Sequence, residues 1–588
     1  MRRAAFLLVV LVGGWLLAGV ASAPPAAAHA TLVSTDPAEG ARLATAPSEV
    51  RLEFSEAVSL GAGYARVLSS DGERVDAGAP SVDGPVVAIP LRPGLPDDGY
   101  LVTYRVVSAD SHPISGAFAF VAGSGALPTG AAAAGERSDP AVAVALPAFR
   151  WLGFAGLALV IGLPVLALSC WPGGWSSGRL RRLTTWGGVA VAGSAVAGFL
   201  LQGPYAAGSG VGAVLDPSLM AATAATEVGW SLLARAGLAV ALTFVLLVLW
   251  RRDAPPAAPW IAGAGLLAAG LVLSTASVGH PVAGPWPGLA VAVTSVHVAA
   301  MAVWLGGLAG LLAVALRPGT LAADLAEALP RFSRLAFVAV VALVVTGTVQ
   351  AVREVGSPTA LFVTTYGWVL IAKIVLVVVA LGAAGVSRVW VQQRLGVRRS
   401  RPAARGTLTA HAFSATAQDG DTDEQADDRR RRQSESAVEH VPVLRRSLLV
   451  EAGVGACILA LSAVLVGTPP ARSALAQPVD VVLPLQGSAG PEGSVQISVD
   501  PARPGPNTVH IYLFDDAGRL TQPADIRVTL ADRQQGIGPL DVDLEPAGPG
   551  HYVADGLNIP GAGTWTLAVS VRLGEFTATT ASTDFPVR

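Results

Sequence analysis

Eight apolar segments, each close to the length of a membrane-spanning helix, constrain the fold of this 588-residue chain more than any other feature. A helix needs about 20 predominantly apolar residues to cross the hydrocarbon core of a bilayer. The segments lie at about 149–170, 184–204, 229–250, 260–278, 288–316, 334–352, 366–386 and 447–468. The composition agrees, because 52% of the residues are hydrophobic and only 14% are charged, against about 25% charged in soluble domains. The sequence therefore predicts an eight-helix transmembrane bundle.

Arginines are distributed unevenly between the loops of this bundle. The loop after the first segment carries Arg179, Arg181 and Arg182, and basic residues recur in every second loop, whereas the alternate loops hold only Arg353. Lys and Arg are enriched in cytoplasmic loops. We therefore expect a multi-pass plasma-membrane protein whose N- and C-terminal domains are both extracytoplasmic. The loop at 387–446 mixes basic and acidic runs with few large apolar residues, which predicts a disordered cytoplasmic segment.

Residues 1–28 have the three parts of a secretory signal peptide. Arg2 and Arg3 form the basic start, an apolar core runs to Val20, and small residues lead to Ala28. An uncleaved membrane anchor is the open alternative. If cleavage follows Ala28, the mature protein begins at His29, which then offers an imidazole and a free α-amine on one residue.

Short apolar runs separated by turn residues predict β domains on both sides of the bundle. Residues 29–123 are expected to form a β-sandwich or barrel, and 469–588 an immunoglobulin-like β-sandwich. A linker at 124–146 joins the first β domain to the membrane domain at 147–386, which holds seven helices. The eighth helix, 447–468, follows the cytoplasmic loop. The fold class is thus a multidomain membrane protein with a β domain at each end.

His29, Asp110 and His112 are the candidate metal ligands of the N-terminal domain. Asp110 and His112 are two residues apart in an apparent strand interrupted by Pro113, so their side chains are expected on one side of it. With the His29 amine and imidazole they make a nitrogen and oxygen set that suits Cu(II) in tetragonal geometry. A surface Asp and His at a strand end is the simpler alternative. The domain contains no methionine, which excludes a thioether site for Cu(I).

Histidines and a methionine inside the bundle suggest a copper path. His297 and Met301 are four residues apart and hence on one helix face, where they make either a landing site for copper, especially Cu(I), or ordinary core. His280, in Gly279-His280-Pro281, either relays metal inward or caps a helix. Lys373 is the only lysine and is expected to pair with Glu227. Six ionisable groups share one depth in the outer half of the membrane, which predicts a funnel entered from outside: Glu227, Arg235, His280, His297, Tyr366 and Lys373.

Several motifs resemble known families. The N-terminal ones resemble the CopC family of copper-binding proteins: His29-Ala-Thr-Leu, Ser34-Thr-Asp-Pro-Ala-Glu-Gly40, Leu52-Glu-Phe-Ser-Glu56, Asp110-Ser-His112 and Gly116-Ala-Phe-Ala-Phe120. The membrane motifs are similar to the CopD family: Ser295 to Gly307, Arg331-Phe-Ser333, and Tyr366-Gly367 through Lys373. The C-terminal motifs resemble YtkA-like or FixH-like domains: Asp500 to Gly505, Gly550-His551-Tyr552 and Gly563 to Leu567.

The resemblance implies a copper resistance or transport protein rather than an enzyme. The CopC family's Cu(II) ligands fall on His29, Asp110 and His112, and the CopD resemblance favours uptake. The expected partners are copper ions and the bilayer, with an extracytoplasmic copper donor or reductase left open. The net charge of -2, with basic residues in local clusters, does not suggest a nucleic-acid surface. The single lysine excludes a P-loop nucleotide motor.

Two other functions compete with copper transport. One is a haem or electron-transfer protein with His280 and His297 as axial ligands, although their unequal predicted depths disfavour one shared haem. The other is a copper monooxygenase built on the N-terminal histidine. Asp110 at a coordination position and the attached bundle count against this second alternative.

Overall fold

The computed structural model describes most of the two β domains and of the bundle. The ranges are residue 30 and residues 32–37, 40–109, 112–125, 139–251, 256–283, 286–315, 322–394, 444–472, 479–487, 490–500, 502–515, 520–533, 535–548, 550–572 and 578–587. The predicted signal peptide, His29 and Asp110 lie outside the described residues. So do most of the predicted linker and residues 395–443 of the predicted disordered loop.

The N-terminal domain is a sandwich of two four-stranded sheets. Its strands are β1 (Leu32–Asp36), β2 (Arg42–Leu43), β3 (Glu49–Phe54), β4 (Val58–Leu68), β5 (Ser81–Asp83), β6 (Val86–Pro90), β7 (Asp98–Ser108) and β8 (Pro113–Ala122). The sheet orders are β1-β3-β6-β5 and β2-β8-β7-β4. Alternation explains the packing, since Val50, Leu52 and Phe54 of β3 point into the core and the residues between them face outward.

The membrane region contains eight long apolar helices among the described residues, as predicted. In chain order the helices are α1 (Pro140–Ser169), α2 (Gly178–Ala207), the short α3 (Pro217–Ala224), α4 (Glu227–Leu249), α5 (Ala258–Ala276), α6 (Pro287–Gly310), α7 (Ala322–Val355), the short α8 (Ala360–Val363), α9 (Thr365–Arg394) and α10 (Leu444–Leu465).

The ends of the predicted linker and of the seventh segment differ from the structure. Helix α1 begins at Pro140, not near 147, because the Asp139 carboxylate accepts hydrogen bonds from the N–H groups of Ala141 and Val142 and caps the helix. Helix α9 likewise continues to Arg394, beyond 386. Counting apolar residues finds the part of a helix that suits the bilayer, whereas helical hydrogen bonding continues into polar sequence.

Glycines bring the central helices α1 and α6 into close contact. A β-carbon on Gly306 would overlap the carbonyl group of Ala158, and one on Gly162 would overlap that of Ala302. Small residues allow such backbone approach in membranes, where no hydrophobic force drives helices together. Gly306, which belongs to the Ser295 to Gly307 motif on α6, therefore contributes to helix packing.

The C-terminal domain consists of two antiparallel sheets. Its strands are β9 (Val479–Gly487), β10 (Gly490–Asp500), β11 (Gly505–Phe514), β12 (Asp525–Asp532), β13 (Ile537–Val542), β14 (Glu545–Gly548), β15 (His551–Ile559), β16 (Gly563–Arg572) and β17 (Ala578–Val587). The orders are β14-β15-β11-β10-β9 and β13-β12-β16-β17. Both sheets contribute to one core around the fully buried Trp565 and Phe585. An immunoglobulin-like relationship stays a prediction.

Candidate functional site

His112 lies in the turn of a hairpin, and the expectation that it continues a strand is wrong. Strand β7 ends at Ser108 and β8 begins at Pro113, with Val107 paired to Pro113. The chain reverses here because both the N–H and the hydroxyl of Ser108 donate to the carbonyl oxygen of His112, over 3.0 and 3.1 Å. The rule that alternate strand residues face the same side therefore does not relate Asp110 to His112.

Arg105 of β7 fastens this hairpin to the helical bundle. Its side chain is buried, and the residue is only 3% exposed. Its Nε donates to the carbonyl oxygen of Ala206 over 2.5 Å, and its Nη2 donates to that of Tyr205 over 3.1 Å. These carbonyls belong to the last turn of α2, which carries the negative end of the helix dipole. A cation at this position thus stabilises the carbonyl end of the helix and orients the hairpin.

The hairpin brings His112 against His280 in the connection between α5 and α6. The two imidazole rings are stacked, with centroids 5.5 Å apart and planes 19° apart. Both residues are buried. The ring of Tyr366, at the start of α9, lies 6.3 Å from the ring of His280, centroid to centroid. A histidine of the β domain and one of the membrane domain are therefore neighbours.

A buried ionic cluster holds the turn that carries His280. Arg353, near the end of α7, donates to the carbonyl oxygen of His280 over 3.0 Å and to that of Ala283. Glu354 accepts from Arg353 over 3.1 Å and lies 3.7 Å from Arg472. Each of these side chains is at most 12% exposed. Because breaking a buried ion pair strands a charge in an apolar environment, this cluster fixes the turn firmly.

Below the histidine pair, a cavity of about 1170 Å³ extends into the bundle. Its wall follows α6 from Leu289 to Leu305, which corresponds to about 24 Å at 1.5 Å per residue. The imidazole and thioether groups on it belong to His112, His280, His297 and Met301. Beyond Trp304 an apolar cluster closes the bundle; it includes Leu308, Phe332, Leu444 and Leu448. The cavity therefore ends inside the bundle.

His297 presents a free nitrogen to this cavity. Its Nδ1 lies 2.8 Å from the hydroxyl oxygen of Thr346 on α7. That hydroxyl donates its own proton to the carbonyl oxygen of Ala342 over 2.6 Å, so it accepts from Nδ1–H of His297. Hydrogen bonding at one ring nitrogen fixes the tautomer, and the network therefore leaves the lone pair on Nε2.

Cationic side chains also line the cavity, and the expected pairing of Lys373 with Glu227 is wrong. Glu227 is exposed at the first turn of α4, whereas Lys373 lies on the cavity wall with Arg150 and Arg235. Within the described ranges no carboxylate forms an ion pair with these three cations. Arg235 instead donates to the carbonyl oxygen of Ser274 over 2.6 Å. Five of the six groups expected in a common funnel thus share one cavity, and Glu227 does not.

The residues that sequence reasoning missed are those that position the histidines. Arg105, Thr346 and Arg353 act through hydrogen bonds to distant parts of the chain, which spacing does not reveal. Arg150 is different, because a lone arginine within an apolar segment was itself a signal.

Three family models match the chain. The CopC domain matches residues 32–123, the copper resistance protein D-like N-terminal domain matches 139–288, and copper resistance protein D matches 326–417. Most of α6, including His297 and Met301, lies between the second and third ranges. None of these three models extends into the C-terminal β domain, so its YtkA-like or FixH-like character stays a prediction.

Curated relatives and solved structures also match parts of this chain. Copper transport protein CutJ of Bacillus subtilis (strain 168) is 29% identical over 391 residues, 63% of this chain and 70% of CutJ. Protein YobA of Escherichia coli (strain K12) is 32% identical over 100 residues, 16% of this chain and 81% of YobA. Two crystal structures each match 16% of this chain with a TM-score of 0.15. CopC from Methylosinus trichosporium OB3b is 26% identical, and the match covers 93% of CopC. PcoC from Escherichia coli is 31% identical, and the match covers 98% of PcoC.

Proposed function

Because this chain belongs to the copper resistance proteins, with CopC and copper resistance protein D domains in one polypeptide, we propose that it carries copper across the plasma membrane, into the cell. The relative CutJ bears the name copper transport protein. One observation supports the proposal most: His112 of the β domain stacks on His280 at the end of a cavity that also contains His297 and Met301.

Capture takes place outside the membrane, at the N-terminal domain. Cu(II) binds the amine and imidazole of His29, the carboxylate of Asp110 and the imidazole of His112. This donor set is nitrogen and oxygen only, as Cu(II) prefers. The site requires signal cleavage before His29, and mass spectrometry of the mature N-terminus tests that requirement: any other first residue removes the amine ligand.

Handover occurs between the stacked histidines. Metal transfer by ligand exchange needs the receiving donor close to the leaving one, and the centroids of the two imidazole rings are 5.5 Å apart. Arg105 keeps the hairpin in place, and Arg353 keeps the receiving turn in place. His280 therefore acts as a relay, whereas helix capping leaves its stacking on His112 unexplained.

The intramembrane step uses Cu(I). Nε2 of His297 and the thioether of Met301 make a softer pair of donors than the outer site. Charge also favours the monovalent ion, because repulsion from Arg150, Arg235 and Lys373 doubles for Cu(II). Each Cu(II) must therefore gain one electron before this step, and an extracytoplasmic one-electron reductant supplies it.

Copper accumulation in cells tests the proposal. The double variant His297→Ala with Met301→Ala is expected to lose most of the accumulation that wild type produces, while the outer domain still binds Cu(II). Met220→Ala is a matched control, since Met220 is the other methionine in the membrane region and lies on the short helix α3. Unchanged accumulation in the double variant removes the intramembrane step, and lower copper in wild-type cells than in cells without the protein reverses the direction.

The same preparation separates the rival functions. Transport of copper as cargo requires no catalytic group, so no enzymatic activity is expected. A haem Soret band in the purified protein, without copper-dependent accumulation, favours electron transfer. Reductant-dependent oxidation of a polysaccharide favours a monooxygenase.

A further inference from the structure

Two histidines that are 41 residues apart meet in the C-terminal domain. His510 lies on β11 and His551 on the neighbouring strand β15. Nδ1 of His510 is 3.2 Å from Nε2 of His551. The rings are nearly parallel, with planes 20° apart and centroids 5.5 Å apart. Neither histidine has a neighbouring methionine or cysteine, so the sequence alone predicts two ordinary sandwich residues.

The pair lies on the outer face of the five-stranded sheet. Val509, Ile511 and Leu513 point into the core of the domain and are fully buried, so His510 faces the other way. His551 is nevertheless only 9% exposed. The ring of Tyr512 stacks on His551 at 4.2 Å and 11°. An outward imidazole that is stacked and shielded has a fixed orientation.

The separation of the two nitrogens suits a shared ion. Metal–imidazole bonds are about 2.0–2.1 Å long. If both nitrogens, which are 3.2 Å apart, bind one metal at that distance, the N–metal–N angle is about 100°. That angle lies between the values for cis ligands of a tetragonal centre and for ligands of a tetrahedral one. We propose that His510 and His551 form a second extracytoplasmic copper site, which takes Cu(II).

Ligand chemistry selects this ion. Imidazole binds copper, zinc, iron and nickel, and among divalent first-row ions Cu(II) binds such sites most tightly. The C-terminal domain has neither cysteine nor methionine, so it offers nothing that selects Cu(I). Asp555 follows on the same strand, accepts from the hydroxyl of Thr508 over 2.9 Å, and adds negative charge near His510.

The protonation state agrees with the geometry. Burial, and secondarily the neighbouring His510, lowers the pKa of His551 to about 4. Burial also lowers the pKa of His510, against a smaller opposing effect of Asp555. Both rings are therefore neutral near physiological pH, as metal ligands must be.

The position of the pair gives the C-terminal domain a role. Phe514 shares the outer face of β11 with His510, and its ring packs against Gly40 of the N-terminal domain, where a β-carbon would come within 3.7 Å of it. The face that carries the pair thus meets the domain that captures copper. A second site there holds copper on the face that contacts the N-terminal domain, independently of whether the bundle transports it.

Copper binding to the full-length protein in detergent tests this site. In a His112→Ala background, which disables the N-terminal site, we expect one Cu(II) with two imidazole nitrogens in its electron paramagnetic resonance and nitrogen spin-echo spectra. Adding His551→Ala or His510→Ala should weaken that binding more than about 100-fold, since loss of a group that merely orients a ligand already costs about 10- to 100-fold. His411→Ala, in the predicted cytoplasmic loop, is the matched histidine control.

Two further measurements keep the result interpretable. Without copper, the two variants should unfold at temperatures similar to that of the His112→Ala protein, which separates loss of ligands from loss of folding. His551→Gln is a milder substitution for use if alanine destabilises the domain. Cu(II) affinity and spectra that survive in both the His510 and the His551 variants overturn the proposal and leave the pair as a hydrogen bond. Preference for Zn(II) over Cu(II) at equal concentration overturns the assignment to copper.

Discussion

Replacing Thr346 with valine isolates the contribution of the His297 tautomer. Valine keeps the shape of threonine but removes the hydroxyl oxygen that accepts Nδ1–H of His297 over 2.8 Å. A buried donor left without its partner costs about 1–3 kcal/mol, which is about 5- to 150-fold in an equilibrium constant. Part of this cost appears as a shift of the proton to Nε2, the nitrogen proposed to bind copper. We therefore expect Cu(I) affinity of the membrane site to fall by about 10- to 100-fold.

The assay is competition for Cu(I) with a chromophoric chelator, on protein in detergent with the outer site disabled by His112→Ala. Thr346→Ser keeps a hydroxyl and should restore most of the affinity. Thr348→Val is the matched control, because the Thr348 hydroxyl donates to the carbonyl oxygen of Val344 in the preceding turn and, within the described part of the chain, forms no hydrogen bond to a histidine. Equal affinities for the valine variants at 346 and 348 would refute the assigned tautomer and, with it, Nε2 as the ligand.

Three other substitutions test separate parts of the route. Gly347→Ala places a β-carbon 3.3 Å from Cε1 of His297, and this crowding should lower copper accumulation several-fold. Thermal stability should not fall, because alanine is more favourable than glycine in a helix by about 1 kcal/mol. Arg105→Met removes two charge-assisted hydrogen bonds, each worth about 1.5–3 kcal/mol, and should lower copper uptake by more than about tenfold while Cu(II) binding stays unchanged. The control Arg92→Met, at an exposed arginine of the same domain, should have no effect. Equal uptake in both variants contradicts docking through Arg105. Arg353→Gln should release the turn that carries His280, and the backbone amides of that turn should then exchange hydrogen faster. Exchange at the wild-type rate would contradict the anchoring role of Arg353.

Sequence patterns predicted the architecture well because local rules decide it. Apolar length alone located all eight spans, and short apolar runs between turn residues indicated the β domains at both ends. Helix ends were less accurate, since Asp139 caps α1 through a side-chain bond that hydropathy does not register. Likewise Pro113 was read as an interruption of one strand, when it begins the next.

The site was only partly predictable because its geometry depends on contacts between distant segments. His280 was left open between relay and cap, and only the folded chain places it against His112, 168 positions earlier in a separate domain. Lys373 was given an acidic partner because a buried lysine ordinarily needs one; the bundle leaves it beside a cavity instead. His510 and His551 were predicted to be ordinary sandwich residues because neither has a neighbouring methionine or cysteine in the sequence. Pairing of β11 with β15 brings the two histidines into contact.

Copper flux into proteoliposomes that contain the purified full-length protein tests the central claim most directly. With a reductant outside the vesicles and a copper-sensitive dye inside them, wild-type protein should fill the vesicles with copper. His280→Ala should reduce the flux by about tenfold or more, corresponding to at least about 1.4 kcal/mol, while Cu(II) binding at the N-terminal domain stays at the wild-type level. Flux at the wild-type rate without the His280 imidazole would contradict the handover from His112 to the membrane cavity.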